Sequence, residues 1–383
     1  MAALPPGSTI GILGGGQLGR MLATAAAQLG YRCHIYAPPG DNVACDVAAA
    51  YTISEYDDLV ALEAFAKACD VVTFEFENVP VSPLESITDI VPVYPPLKAL
   101  EVAQDRAAEK QFVRALGGKT AEFAVASDEG AVATAIADVG IPCILKTIRM
   151  GYDGKGQSRI MGDGDIKGAW ERTGGQPLIA EAMVSFEAEF SVILVRGQDG
   201  EIRFWDSSRN RHIDGILAKS TLPSGALVEG QEPAARDMAA AVASALNYVG
   251  VFTAEFFASA TGPLFNEIAP RVHNSGHWTI EGAETSQFVN HIRAVAGLPL
   301  GDPKPRGFSA MINIIGSMPD ASKVLKIPGA HLHDYGKEPR AGRKLGHLTI
   351  RADSLVELNR TLRENLDLLP LETAKQWQNR LNR

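Results

Sequence analysis

The strongest constraint on the fold lies near the start of the chain. Thr-Ile-Gly-Ile-Leu (9–13) is a short apolar strand that runs without a linker into Gly14-Gly-Gly-Gln-Leu-Gly19. Leu18, Met21, Leu22, Ala25 and Leu29 then recur at helical spacing until Gly30 stops the helix. A second strand is predicted over 32–37 and a third over 70–76, with a helical pattern over 59–68 between them. Strands separated by helices of this length imply right-handed crossovers and a parallel sheet, so the first third reads as a nucleotide-binding-like α/β layer.

The rest of the chain follows a different rhythm. Pro95-Pro96 opens a helix over 97–116, Pro being suited to a first turn. A helix near 129–139, a strand over 142–147 and a glycine loop at 151–157 then form a smaller α+β region. Beyond about residue 177 come strand pairs (178–182, 188–195, 202–206, 251–259, 263–268) with helices near 233–248 and 284–296, a pattern of antiparallel or mixed sheet. A length of 383 residues suits two or three domains, and 46% hydrophobic residues supply their cores.

Charge and cysteines narrow the function. A net charge of −9 argues against an open nucleic-acid surface but allows a local basic pocket for a small anion. Cys33, Cys45, Cys69 and Cys143 form no C-x-x-C pair and read as thiols in a reducing compartment. No basic region precedes an apolar stretch at the N-terminus, and no run approaches ~18 apolar residues, so a cytoplasmic protein without a membrane span is expected.

Gly14-x-Gly16-x-x-Gly19 matches a dinucleotide fingerprint, which also needs an acid at the end of the second strand to hold a ribose. That strand ends Tyr36-Ala37-Pro38-Pro39, without one. What survives is a turn whose free N–H groups and helix dipole favour a phosphate, or else a plain tight β–α turn. The second glycine loop, Gly151-x-x-x-x-Gly156, continues Gln157-Ser158 where a P-loop requires Lys-Ser/Thr. It follows Lys146 on a strand and leads into another strand over 159–161. Such a unit is a lid over phosphates, with Lys155 and Lys146 as point charges, or a solvated hairpin.

Two carboxylates carry the sharpest local signal. Glu255 lies on one strand and Asn266-Glu267 on the next, and a hairpin centred near Thr261 sets Glu255 opposite Glu267. Like charges directly opposed are destabilising, so this pair calls for a cation, and all-oxygen ligands beside phosphate call for Mg²⁺. A shifted turn register would instead send the acids to opposite faces. Arg271 and His273 add charge and hydrogen-bonding capacity at the same end. Glu181-Ala182-Met183-Val184 reads as a hinge against an adenine, or as core. His331-x-His333 lacks a third ligand for zinc, and no Gly-x-Ser-x-Gly elbow occurs.

In their order these features resemble the ATP-grasp superfamily and, within it, the N5-carboxyaminoimidazole ribonucleotide synthetase family, the ATP-dependent carboxylases of bacterial and fungal purine synthesis. Five segments carry the resemblance: 11–21 (Gly-Ile-Leu-Gly-Gly-Gly-Gln-Leu-Gly-Arg-Met), 73–80 (Thr-Phe-Glu-Phe-Glu-Asn-Val-Pro), 151–157 (Gly-Tyr-Asp-Gly-Lys-Gly-Gln), 266–277 (Asn-Glu-Ile-Ala-Pro-Arg-Val-His-Asn-Ser-Gly-His) and 342–347 (Gly-Arg-Lys-Leu-Gly-His). The resemblance implies an α/β and α+β protein with an ATP-grasp fold: a preATP-grasp domain over 1–100, a small lid domain over 101–180, and a larger ATP-grasp domain over 181–383 with a C-terminal substrate-side segment. It implies ATP and Mg²⁺ as cofactors, aminoimidazole ribonucleotide and bicarbonate as substrates, and a homodimer.

Carried across residue by residue, Arg106, Lys146, Gly151, Tyr152, Asp153, Gly154, Lys155, Gly156 and Gln157 would meet phosphates. Glu181, Ala182, Met183 and Val184 would hold the adenine, Glu189 the ribose, and His212 would lie near the nucleotide. Glu255 and Glu267 would hold Mg²⁺, with Asn266 beside them. Gly16, Gln17 and Leu18, with Lys344 and Arg351, would take the ribonucleotide's phosphate. Glu75 and Tyr152 would face the aminoimidazole, and Arg271 and His273 the transferred carboxyl. Arg271, His273, Tyr152, Asp153 and Lys344 form the implied catalytic set. Another ATP-grasp carboxylate–amine ligase is the alternative. A dehydrogenase is weakened by the missing acid, and a non-catalytic binding protein has no use for paired metal carboxylates.

Overall fold

A computed structural model describes residues 3–151, 156–213, 215–370 and 373. Among them the strands form three sheets. The first is parallel, in the order Ala50–Ile53, Arg32–Ala37, Thr9–Leu13, Val71–Phe74. Thr9–Leu13 lies in its interior, which is why that strand is an uninterrupted apolar run with Ile10 and Ile12 fully buried. The chain adds its second and third strands on one side of Thr9–Leu13 and its fourth on the other. The glycine turn therefore opens at a topological switch point, where α/β sheets bind ligands.

The second sheet is antiparallel, in the order Phe123–Ala126, Leu178–Ala182, Cys143–Thr147, Gln157–Ile160. Helix Val132–Val139 packs Val132, Ala135 and Ile136 against it. The third sheet has nine described strands. Its path runs from Gly262–Ala269 and Gly250–Ser259 through Ala188–Arg196, Ser208–Ile213 and Ile216–Leu222 to Phe308–Ile315, Lys344–Ala352 and Ala330–Asp334, with Ile202–Phe204 paired to Ala188–Arg196. His291 pins this sheet to the first layer. Its Nδ1 accepts the Val251 N–H at 3.0 Å while Nε2 lies 2.8 Å from Thr73 Oγ1.

Two helices depart from the sequence reading. The helix expected over 97–116 is two, Leu97–Ala103 and Arg106–Ala115. The break comes from Asp105, whose carboxylate accepts the N–H groups of Ala107 and Ala108 at 3.1 and 3.0 Å and starts a new helix. The helix expected from Pro233 begins at Ala226 instead, so Pro233 lies inside it. The strand Phe308–Ile315 carries no regular alternation, because it is buried at all but its first residue.

Candidate active site

The three sheets meet around one cleft. Of the residues singled out from the sequence, Gln17, Leu18, Arg106, Lys146, Gly151, Gly156, Gln157, Glu189, His212, Glu255, Asn266, Glu267, Arg271, His273 and Lys344 line it. Tyr152, Asp153, Gly154 and Lys155 lie outside the described residues. Arg351 is not brought to the cleft: its Nε donates to Arg306 O at 2.7 Å and its NH2 to Asp353 at 3.0 Å, seven residues along the strand from Lys344.

The carboxylate pair owes its geometry to a bulge. From the turn, Ser259 pairs Gly262 and Phe256 pairs Phe265, a register that would continue with Glu255 opposite Asn266. One extra residue, Asn266, shifts the ladder so that Glu255 pairs Glu267. Burial pushes the Glu255 carboxyl up, and the charges of Glu267 and Glu189 push it further, against His212. Withdrawal from water acts to raise Glu267 as well, but the Arg106 guanidinium, 2.8 Å from its Oε2, holds it below the usual carboxylate range. No cluster of three or more His, Cys, Asp or Glu able to hold a metal occurs among the described residues. The all-oxygen donor set of Glu255, Glu267 and the neighbouring Asn266 fits a hard divalent cation that draws its remaining ligands from phosphate oxygens.

On one side of this pair stand groups suited to a nucleotide. Lys146 Nζ donates to Glu181 Oε2 at 2.8 Å, tying the lid strand to the start of the 181–184 segment. Arg106 NH2 donates to Gly151 O at 3.2 Å, at the edge of the glycine loop. His212 Nδ1 lies 2.9 Å from Glu189 Oε2. Glu181 and Ala182 end the strand Leu178–Ala182, and Met183 and Val184 follow it; Met183 is exposed, while Glu181 is buried.

On the other side stands Arg271. Its Nε and NH2 donate to the two oxygens of Glu77 at 2.5 and 2.7 Å. His273 is held by its own main chain: Gln287 accepts the His273 N–H at 2.9 Å and donates to its C=O at 2.7 Å. Burial, with Arg271 adding, drives the His273 pKa down to about 3, so the ring is neutral. Its Nδ1 accepts the Ser275 N–H at 3.3 Å, which assigns the ring proton to Nε2 and turns a donor toward Glu255, 3.7 Å away.

The glycine turn holds an anion already. Glu75, buried, accepts the N–H of Gly16 at 2.8 Å and of Gly19 at 3.3 Å. The approach is so close that a Cβ at Gly14, where φ is +115°, would lie 2.6 Å from the Glu75 side chain. The Gly16 N–H expected to meet a phosphate thus goes to a carboxylate of the same chain. Lys337, bonded to Gln17, supplies a cation at this mouth that the sequence reading omitted. Gln287 is missed too, since nothing local marks it, and Glu77 enters the sequence reading only within the 73–80 segment, without a role of its own.

Models of known families match in the same order: a ribonucleotide synthetase preATP-grasp domain over 7–104, an ATP-grasp domain over 111–288, and a phosphoribosylaminoimidazole carboxylase C-terminal domain over 309–361. N5-carboxyaminoimidazole ribonucleotide synthase of Brucella melitensis is 48% identical over 354 residues, covering 91% of this chain and 97% of that one. The chain belongs to this family. The crystal structure of the synthetase from Thermus thermophilus superposes with a TM-score of 0.89 at 46% identity, covering 94% of this chain and 98% of that one. The Aspergillus clavatus synthase, crystallised with ADP and 5-aminoimidazole ribonucleotide, superposes with a TM-score of 0.87 at 31% identity, covering 94% and 98%. The fold is that of an ATP-dependent ligase, and no described helix is long and apolar enough to cross a membrane.

Proposed function

We propose that this chain uses ATP and bicarbonate to carboxylate the exocyclic amine of aminoimidazole ribonucleotide, giving N5-carboxyaminoimidazole ribonucleotide, ADP and phosphate in purine synthesis. The observation that carries the reading is the cleft itself: Glu255 and Glu267, paired on neighbouring strands, line it together with Arg106 and Lys146 and with Arg271, His273 and Lys344. Residues 1–100, 101–180 and 181–383 are assigned as preATP-grasp, lid and large domains, in a cytoplasmic homodimer.

Bicarbonate is a poor electrophile because attack on it must expel hydroxide or oxide. Transfer of the γ-phosphoryl group to a bicarbonate oxygen makes carboxyphosphate and leaves ADP. The amine nitrogen then bonds the carboxyl carbon, phosphate leaves with the C–O bonding pair, and the amine gives up a proton. Glu255 and Glu267 would hold Mg²⁺, whose charge offsets that of the phosphates in transfer. Arg106 and Lys146, with the loop 151–157, meet the phosphates as the lid excludes water from a labile intermediate. Residues 181–184 take the adenine edge, and Glu189 with His212 the ribose. Arg271 orients the bicarbonate carboxylate and His273 donates its Nε2–H to an oxygen of the transferred group. Gln17, Leu18 and Lys344 face the ribonucleotide phosphate, and Glu75 and Tyr152 the aminoimidazole.

The test is bicarbonate-dependent ADP release with and without aminoimidazole ribonucleotide. Strong stimulation by the ribonucleotide is expected. Release indifferent to it would transfer the chain to another carboxylate–amine ligase reaction of the same superfamily.

A further inference from the structure

Two ionisable side chains beside the nucleotide flank take no part in the chemistry above, Glu109 at the cleft lining and Lys110 outside it. Glu109 and Lys110, on helix Arg106–Ala115, are each 2% exposed. Ionisable groups are seldom buried so completely unless they hold something. What they hold is main chain. Glu109 Oε1 accepts the Ile268 N–H at 2.6 Å, and Lys110 Nζ donates to the Asn266 C=O at 3.0 Å. Arg106, on the same helical face, donates to Glu267 Oε2 at 2.8 Å. Side chains at i, i+3 and i+4 of one helix therefore grip three consecutive residues, 266, 267 and 268.

The gripped strand is the one most in need of support. Gly262–Ala269 is the outermost strand of the large sheet, and its ladder is interrupted at Asn266 by the bulge that sets Glu267 opposite Glu255. A bulged residue is left out of the ladder and bends its strand. Main chain covers the outer edge as far as Phe265, whose N–H donates to Lys119 O at 2.8 Å. From there on, Lys110 and Glu109 supply the partners. Lys110 Nζ also stands 3.4 Å from Glu181 Oε1, and the other oxygen of Glu181 bonds Lys146. One ammonium group thus links the metal-side strand to the start of the hinge.

We propose that Glu109 and Lys110 are positioning residues for Glu267, fixing the bulged main chain so that its carboxylate faces Glu255 at the divalent-ion position. Lys110 also sets the spacing between that carboxylate and the segment that takes the adenine. The proposal rests on the metal reading of Glu255 and Glu267. Packing alone does not account for the pair, because apolar side chains of similar volume stabilise a buried contact at least as well as buried charges do.

The experiment measures ADP binding to the full-length enzyme by calorimetry, once with Mg²⁺ and once with EDTA; the ratio of the two dissociation constants reports metal coupling. Glu109→Gln keeps an acceptor oxygen at the same reach, and its ratio should stay within about twofold of the parent enzyme, whereas Glu109→Asp keeps the carboxyl group, withdraws the acceptor from Ile268 by one methylene, and should lower the ratio about tenfold. Lys110→Met should lower it likewise, with the EDTA constant little changed. A role in stability alone would depress melting temperature without moving this ratio. Equal ratios in Glu109→Gln, Glu109→Asp and the parent enzyme would overturn the proposal. A parent ratio of one is a separate failure, which removes the metal from Glu255 and Glu267 and the positioning role with it. Should Lys110→Met not fold, the two Glu109 variants decide alone.

Discussion

Glu77→Gln removes the carboxylate that orients Arg271 while hardly changing its shape. Arg271 spends all three nitrogens locally: Nε and NH2 on Glu77 at 2.5 and 2.7 Å, NH1 on Val272 O at 3.0 Å. Its side chain is 14% exposed and that of Glu77 26%. Removing one partner of a buried pair costs ~3–5 kcal/mol, and because Glu77 is partly solvated and Gln retains one acceptor, the lower end, about 3 kcal/mol, applies. If that loss falls on the transition state, kcat/KM drops about 10²-fold, at about 1.4 kcal/mol per decade. The assay is steady-state ADP release at saturating ATP with bicarbonate and ribonucleotide varied, alongside ADP binding, which should be unchanged because Arg271 lies on the far flank. In a double-mutant cycle with Arg271→Met, the double variant should be no worse than Arg271→Met alone. A loss below about threefold for Glu77→Gln, or strict additivity, would refute the orientation argument.

Other consequences are simpler to read. Lys344→Ala should raise the KM for the ribonucleotide far more than that for ATP; equal effects would remove Lys344 from the substrate flank. Burial acts to lower the His212 pKa, but the hydrogen bond with Glu189 and the nearby carboxylates raise it to about 9. A folded value above the unfolded one stabilises fully below about pH 6.5 and loses that effect as pH rises through about 9, by on the order of 3 kcal/mol. Glu189→Gln should therefore lower the melting temperature at pH 6 and converge on the parent protein near about pH 10; a pH-independent difference would contradict the pairing.

How far the sequence reveals this site depends on the range of the interactions involved. The first layer is legible because Thr9–Leu13, its glycine turn and its helix are local patterns that the tertiary structure reinforces. The Glu255–Glu267 pair is legible from turn position, yet the turn alone would pair Glu255 with Asn266; the bulge restores the expected partner. The glycine turn is an anion site as its chemistry suggests, but the anion it holds is Glu75, 59 residues from Gly16. The helix break at Asp105 is a local capping signal that the apolar periodicity of 97–116 conceals. Glu77 to Arg271 and Glu109 to Ile268 span 194 and 159 residues, and no spacing rule reaches so far. Arg351 shares a strand with Lys344, but strand geometry carries it away from the cleft toward Arg306.

The central claim is that two carboxylates from neighbouring strands bind a divalent ion together with the nucleotide. Electron paramagnetic resonance of Mn²⁺ added with ADP, in the parent enzyme and in Glu267→Gln, tests it most directly. The account predicts one nucleotide-dependent Mn²⁺ per chain in the parent and its loss in Glu267→Gln, while ADP still binds in EDTA. Undiminished Mn²⁺ binding by a correctly folded Glu267→Gln would contradict it.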